Sequence, residues 1–95
     1  METFIAALIG AGFTEFKLGQ TNEQFTRRVT FTVGAFTLSL VTGPEAYSTA
    51  GAVELAVIRD GEFCTQFISD LTSDDVLGQA TVEQVLAIAS ACAQA

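Results

Sequence analysis

The chain reads as an α+β domain: a short N-terminal helix, a mainly antiparallel sheet of four to five strands built from two hairpins, and a C-terminal helix packed on that sheet. Three observations predict it. Residues 29 to 40, within the stretch from Arg27 to Thr42, alternate apolar and hydroxyl side chains on either side of Gly34-Ala35, Asp60-Gly61 divides a second run of strand formers, and Thr81 and Gln84 have the spacing of a capping box ahead of an apolar stripe. Strands bracketed by helices favour helices gathered on one face of an antiparallel sheet.

The first helix is expected over residues 2 to 11, where Phe4, Ile5, Leu8 and Ile9 recur at helical spacing and Gly10 and Gly12 supply stop signals. Phe13, Phe16 and Leu18 then suit a short first strand, and the polar stretch from Gly19 to Gln24 reads as a loop. In the hairpin from Arg27 to Thr42, a two-residue turn sets Val33 against Phe36, Phe31 against Leu38 and Val29 against Leu40, giving one wholly apolar face. Its other face pairs Thr32 with Thr37 and Thr30 with Ser39, so it is polar but nearly uncharged.

Gly43-Pro44 breaks the strand, and the loop from Glu45 to Gly51 carries the one tyrosine, Tyr47. That loop is a candidate binding element; the competing expectation is that the Tyr47 ring packs over the sheet edge with its hydroxyl in water. The second hairpin runs from Val53 to Arg59, turns at Asp60-Gly61 and returns from Glu62 to Ile68. Val53, Leu55, Val57, Cys64 and Ile68 fall on one face, and Ala56, Ile58, Phe63 and Phe67 on the other. Apolar residues on both faces predict cover on both, either from a helix and a loop or from a second copy of the protein. Asp70 to Gly78 reads as an acidic connector. Thr81 then opens the last helix, whose stripe is Val82, Val85, Leu86, Ala89 and Cys92.

A chain of 95 residues, 49% apolar and with eight phenylalanines, forms one domain spanning 1–95 around a real core. The apolar run from Phe4 to Gly12 is preceded by Glu2 where a signal peptide needs positive charge, and no apolar run is long enough to cross a bilayer, so a cytoplasmic protein is expected. Cys64 and Cys92 lack CxxC spacing and no histidine can join them in a zinc site, so reduced, semi-buried thiols are expected, without metal or cofactor.

The absence of histidine removes the Ser-His-Asp and Cys-His nucleophile pairs, and nothing places a nucleophile beside Lys17, the sole lysine. Gly10-Ala11-Gly12 follows a helix instead of a strand and so is no dinucleotide loop. Asp70, Asp74 and Asp75 lack the alternating ligands and closing glutamate of a calcium loop, and read as a solvated turn with aspartates that cap a helix. These observations point away from an enzyme.

Charge is what remains. In residues 1 to 42, Glu2, Glu15 and Glu23 balance Lys17, Arg27 and Arg28, so the net charge of −7 lies wholly in residues 43 to 95. Such a field repels nucleic acid and anionic membranes and speeds encounter with a basic protein surface. Glu54, Asp60, Glu62, Asp70, Asp74 and Asp75, with Tyr47, are the candidate partner-binding residues.

The segments Val53-Glu-Leu-Ala-Val-Ile-Arg-Asp-Gly-Glu-Phe63, Asp75-Val-Leu-Gly78 and Thr81-Val-Glu-Gln-Val85, with Ser39-Leu-Val-Thr-Gly-Pro44 before them, resemble small proteins encoded by tailed bacteriophages over about residues 36 to 90. The resemblance implies a phage accessory protein, some of which inhibit a host enzyme or defence system, as anti-CRISPR proteins do, by occupying a functional surface. Two roles follow as expectations. The first is an inhibitor whose acids dock on a basic, nucleic-acid-binding surface of a host protein. The second is a structural or oligomeric protein in which the hairpin at 53 to 68 makes a homodimer contact and the acids maintain solubility.

Overall fold

The computed structural model describes residues 1–20, 27–42 and 52–95. Helix α1 (Glu2–Gly10) ends where Gly12 takes a left-handed φ of 100°. There the Gly12 amide donates to the Ile9 carbonyl and the Phe13 amide to that of Leu8, so the glycine stop signal acts as a Schellman cap. The helix buries Phe4 and Leu8.

Strands β1 (Phe16–Gln20), β2 (Arg27–Val33), β3 (Phe36–Thr42) and β4 (Val53–Arg59) follow as neighbours in an antiparallel sheet. The β2–β3 register is the expected one, with Val33 opposite Phe36, Phe31 opposite Leu38 and Val29 opposite Leu40. Gly34 has a φ of 60° while Ala35 does not enter the left-handed region, which matches glycine at the first central position of a type II′ turn. At Asp60-Gly61 both residues have positive φ, 54° and 80°, the signature of type I′.

Beyond that turn the chain departs from the expected hairpin. Strand β5 is only Glu62–Phe63, and a 3₁₀ turn over Thr65–Phe67 replaces the remainder. The last ladder bond is the Cys64 amide to the Val57 carbonyl, at 2.8 Å. Two-residue alternation therefore stops, and Phe67 swings to the helix side, where its ring meets Phe36 edge to face at 5.0 Å. The expectation that Phe67 shares a face with Phe63 is thereby corrected. Ile68 still reaches the core and is fully buried.

The stretch read as an acidic connector contains a sixth strand, β6 (Leu77–Ala80), which pairs with β4 on the side that β5 also uses. Leu77 stands opposite Leu55 and Ala80 opposite Val53, so β6 holds one more residue than β4 over this interval, and Gln79 takes a φ of 56° within the bulge. The aspartates before it cap no helix. Asp70 lies in a turn and Asp74 and Asp75 in bends, where the Asp74 amide donates to Thr72 Oγ1 at 3.1 Å.

Helix α2 (Val82–Gln94) starts with the expected capping box: the Thr81 amide donates to Gln84 Oε1 at 2.9 Å, and the Gln84 amide to Thr81 Oγ1 at 3.2 Å. It buries Val85, Ile88, Ala89 and Cys92, while Val82 and Leu86 are half-buried. Both helices cover the sheet face formed by Val29, Phe31, Val33, Phe36, Leu38, Leu40, Val53, Leu55 and Val57. No helix among the described residues is long and apolar enough to cross a membrane.

Cys64 and Cys92 are free thiols. Burial pushes the Cys92 thiol up to about 11, with a smaller push from Cys64. Because the unfolded thiol ionises near 9.0, folding favours the protonated form. Its contribution to stability is fully present below pH 9.0 and is lost as pH rises towards about 11. Urea denaturation across that window should give a fall in stability that is shallower for Cys92→Ala. A second measurement checks the unequal burial of the two side chains beyond the turn. Ile68→Ala should cost about 3 kcal/mol, whereas Phe63→Ala, at a side chain 54% exposed, should cost less than about 1 kcal/mol. Equal costs would mean that Ile68 is no better buried than Phe63.

Candidate functional site

Strand order converts an asymmetry along the chain into one across the molecule. β1, β2 and β3 come from the charge-balanced residues, whereas β4, β5 and β6 come from the acidic ones. With neighbouring strands about 4.8 Å apart, β1 and β5 are separated by about 19 Å and β2 and β5 by about 14 Å. Both distances exceed the screening length of about 8 Å at physiological salt, so Lys17 and Arg27 on the first flank barely offset the acids of the β4–β5 turn, whereas Arg28 lines a depression shared with Glu54, Phe63 and Val76. Arg27 is also engaged locally. Its Nη1 lies 2.7 Å from Glu2 Oε1, and this guanidinium holds the exposed Glu2 carboxyl below the usual carboxylate range.

On the β4 flank, Asp60 occupies the hairpin turn, 93% exposed and 4.0 Å from Arg59 Nε. Glu62 pairs across the ladder with Arg59, whose guanidinium carbon sits 5.4 Å from the centre of the Phe36 ring. The only base of the acidic half is therefore partly spent on an aromatic face. Asp74 and Asp75 are exposed just ahead of β6 and approach β4 from the same side as β5. Val76, the next residue, shares a depression with Phe63, which brings the two acid-bearing segments to one flank. Among the described residues no base lies within ion-pair distance of Glu62, Asp70, Asp74, Asp75 or Glu83.

The remaining candidates sit elsewhere. Glu54 is half-buried on the sheet face away from the helices, where a depression of about 350 Å³ also takes in Arg28, Thr30, Ser39, Val41 and Ile58. Asp70 is turned towards α2. Tyr47 and its loop lie outside the described residues. Among the described residues no three cysteines and carboxylates converge as a metal ion would require.

Sequence reasoning missed a groove beside α2. Phe67, Asp70 and Leu71 form one wall and Glu83, Gln84, Ala87, Ile88 and Ala91 the other, around about 420 Å³. Ile68 pins the first wall: its side chain is fully buried and its carbonyl accepts from the amides of Leu71 and Thr72 at 2.9 and 3.1 Å. Leu71 is left 48% exposed. On the second wall, Ala87 and Ala91 lie one helical turn apart, and their small side chains keep the groove open. The available signal was the alanine pair together with Phe67 and Leu71 flanking an isoleucine, but it has meaning only once the chain leaves β5 at Cys64. Comparison of the chain with protein-family models, with curated proteins and with solved structures finds no match in any of the three.

Proposed function

We propose that the chain is an acidic protein-binding module that docks on a basic surface of a partner, acting as a phage-type inhibitor that occupies a nucleic-acid-binding surface of a host protein or defence system in the host cytoplasm. The observation that supports this most is the gathering of Asp60, Glu62, Asp74 and Asp75 on the β4 flank, where, among the described residues, no ion pair to Lys17, Arg27 or Arg28 offsets them. Exposed carboxylates contribute little to stability, but four of them against the single base of this flank, Arg59, steer a basic partner into encounter. The sheet supplies a rigid frame for the turn carrying Asp60 and Glu62, so little ordering entropy is lost on docking there.

The test compares the tagged chain with the Asp60→Asn/Glu62→Gln/Asp74→Asn/Asp75→Asn variant. A partner captured from bacterial lysate is purified and its association rate measured at 50 and 300 mM NaCl, roughly a twofold change in screening length. The unaltered chain should associate about tenfold more slowly at the higher salt, and the variant about tenfold more slowly at the lower. A partner that binds both forms alike, at rates indifferent to salt, overturns the reading.

A second reading, a structural or oligomeric accessory protein, draws on the sheet face away from the helices, where half-buried Ile58 adjoins Phe63, 54% exposed. Val57 faces the core and is fully buried, so charging it would test folding and not association. Ile58→Lys is the informative change. On this reading, light scattering at high concentration finds a dimer that Ile58→Lys dissociates; a strict monomer rules it out.

A further inference from the structure

We propose that the groove between Phe67–Leu71 and α2 seats a cationic amphipathic helix of the partner protein. This inference rests on the reading of the chain as a module for basic partners and adds a second, apolar point of contact. The groove is open along one side and follows α2 from Gln84 to Ala91. At 1.5 Å per residue that interval is about 11 Å, the distance spanned by apolar residues at i, i+3 or i+4, and i+7 of an incoming helix. Ala87 and Ala91 let a second helix approach closely, and the Phe67 ring, held edge to face against Phe36, gives the opposite wall a firm apolar surface. Leu71, 48% exposed, supplies apolar surface for the visitor to cover.

Charge selects the occupant. Asp70 and Glu83 line the groove on opposite walls, and no basic residue lines it. Lysines or arginines flanking the apolar stripe of the visitor would meet these carboxylates. A second copy of the chain is a poor occupant because it carries the same net charge of −7, and its own α1, Glu2–Gly10, contains an acid and no base.

The probe is an 18-residue helical peptide of leucine and lysine, with leucine at i, i+3, i+4 and i+7, titrated into the full-length ¹⁵N-labelled chain. Two controls replace every leucine by serine or every lysine by glutamate. The leucine–lysine peptide should shift the amides of Phe67, Leu71, Ala87, Ile88 and Ala91 most. Ala91→Gln and Leu71→Ser, both at exposed positions, should each weaken binding about tenfold with the fold retained by circular dichroism. Asp70→Asn/Glu83→Gln should weaken it about fivefold at low salt.

If both lysine peptides shift only the amides near Asp60–Glu62 and Asp74–Asp75, the groove assignment is overturned while the broader reading stands. If neither lysine peptide binds, both fall together. Equal binding of the glutamate peptide removes the cationic occupant, and a dimer that Ala91→Gln converts to monomer would make the occupant a second copy.

Discussion

The demand on β4 organises this molecule. A strand has two edges, and here one is taken by β3 while β5 and β6 divide the other. Val53, Leu55 and Val57 on its inner face are all fully buried, so any register error would expose three core residues at once. Because the outer edge is shared, β5 must stop after two residues to leave room for β6. That early stop creates the 3₁₀ turn, the inward position of Phe67, and the groove along α2.

The same arrangement sets the electrostatics. The segments that reach the outer edge of β4 bring exposed carboxylates at Glu62 and just ahead of β6, whereas Lys17, Arg27 and Arg28 sit on β1 and β2 and Arg59 alone ends β4. Had β1 paired with β4, the same residues would have formed a mixed-charge edge with little net field. Topology, more than composition, thus decides whether an acidic chain is merely soluble or directional.

Legibility in the sequence followed the strength of local rules. The hairpin from Arg27 to Thr42 was readable to the residue because alternation, β-branched composition and a glycine turn agree. The capping box at Thr81 was equally plain. Ile88 escaped the predicted stripe although it is buried, since α2 packs against the sheet and the 3₁₀ turn over an arc wider than one narrow seam. β6 was unreadable: four residues with an internal glycine after a run of acids carry no strand pattern of their own and owe their form to β4. The acids could be counted along the chain, but their division among the β4 flank, the outer sheet face and the groove depends on pairings that charge does not encode.

The bulge in β6 resolves a conflict of phase. Leu77 and Ala80 are both buried although they lie three positions apart, an odd step that a regular strand would send to opposite sides. One surplus residue restores parity, at the expense of a left-handed backbone at Gln79, an exposed side chain that packing does not require. The strand ends at Ala80, and Thr81 next to it caps α2, whose Val85 and Ala89 are buried. A single surplus residue thus lets both ends of β6 bury their side chains against the same core.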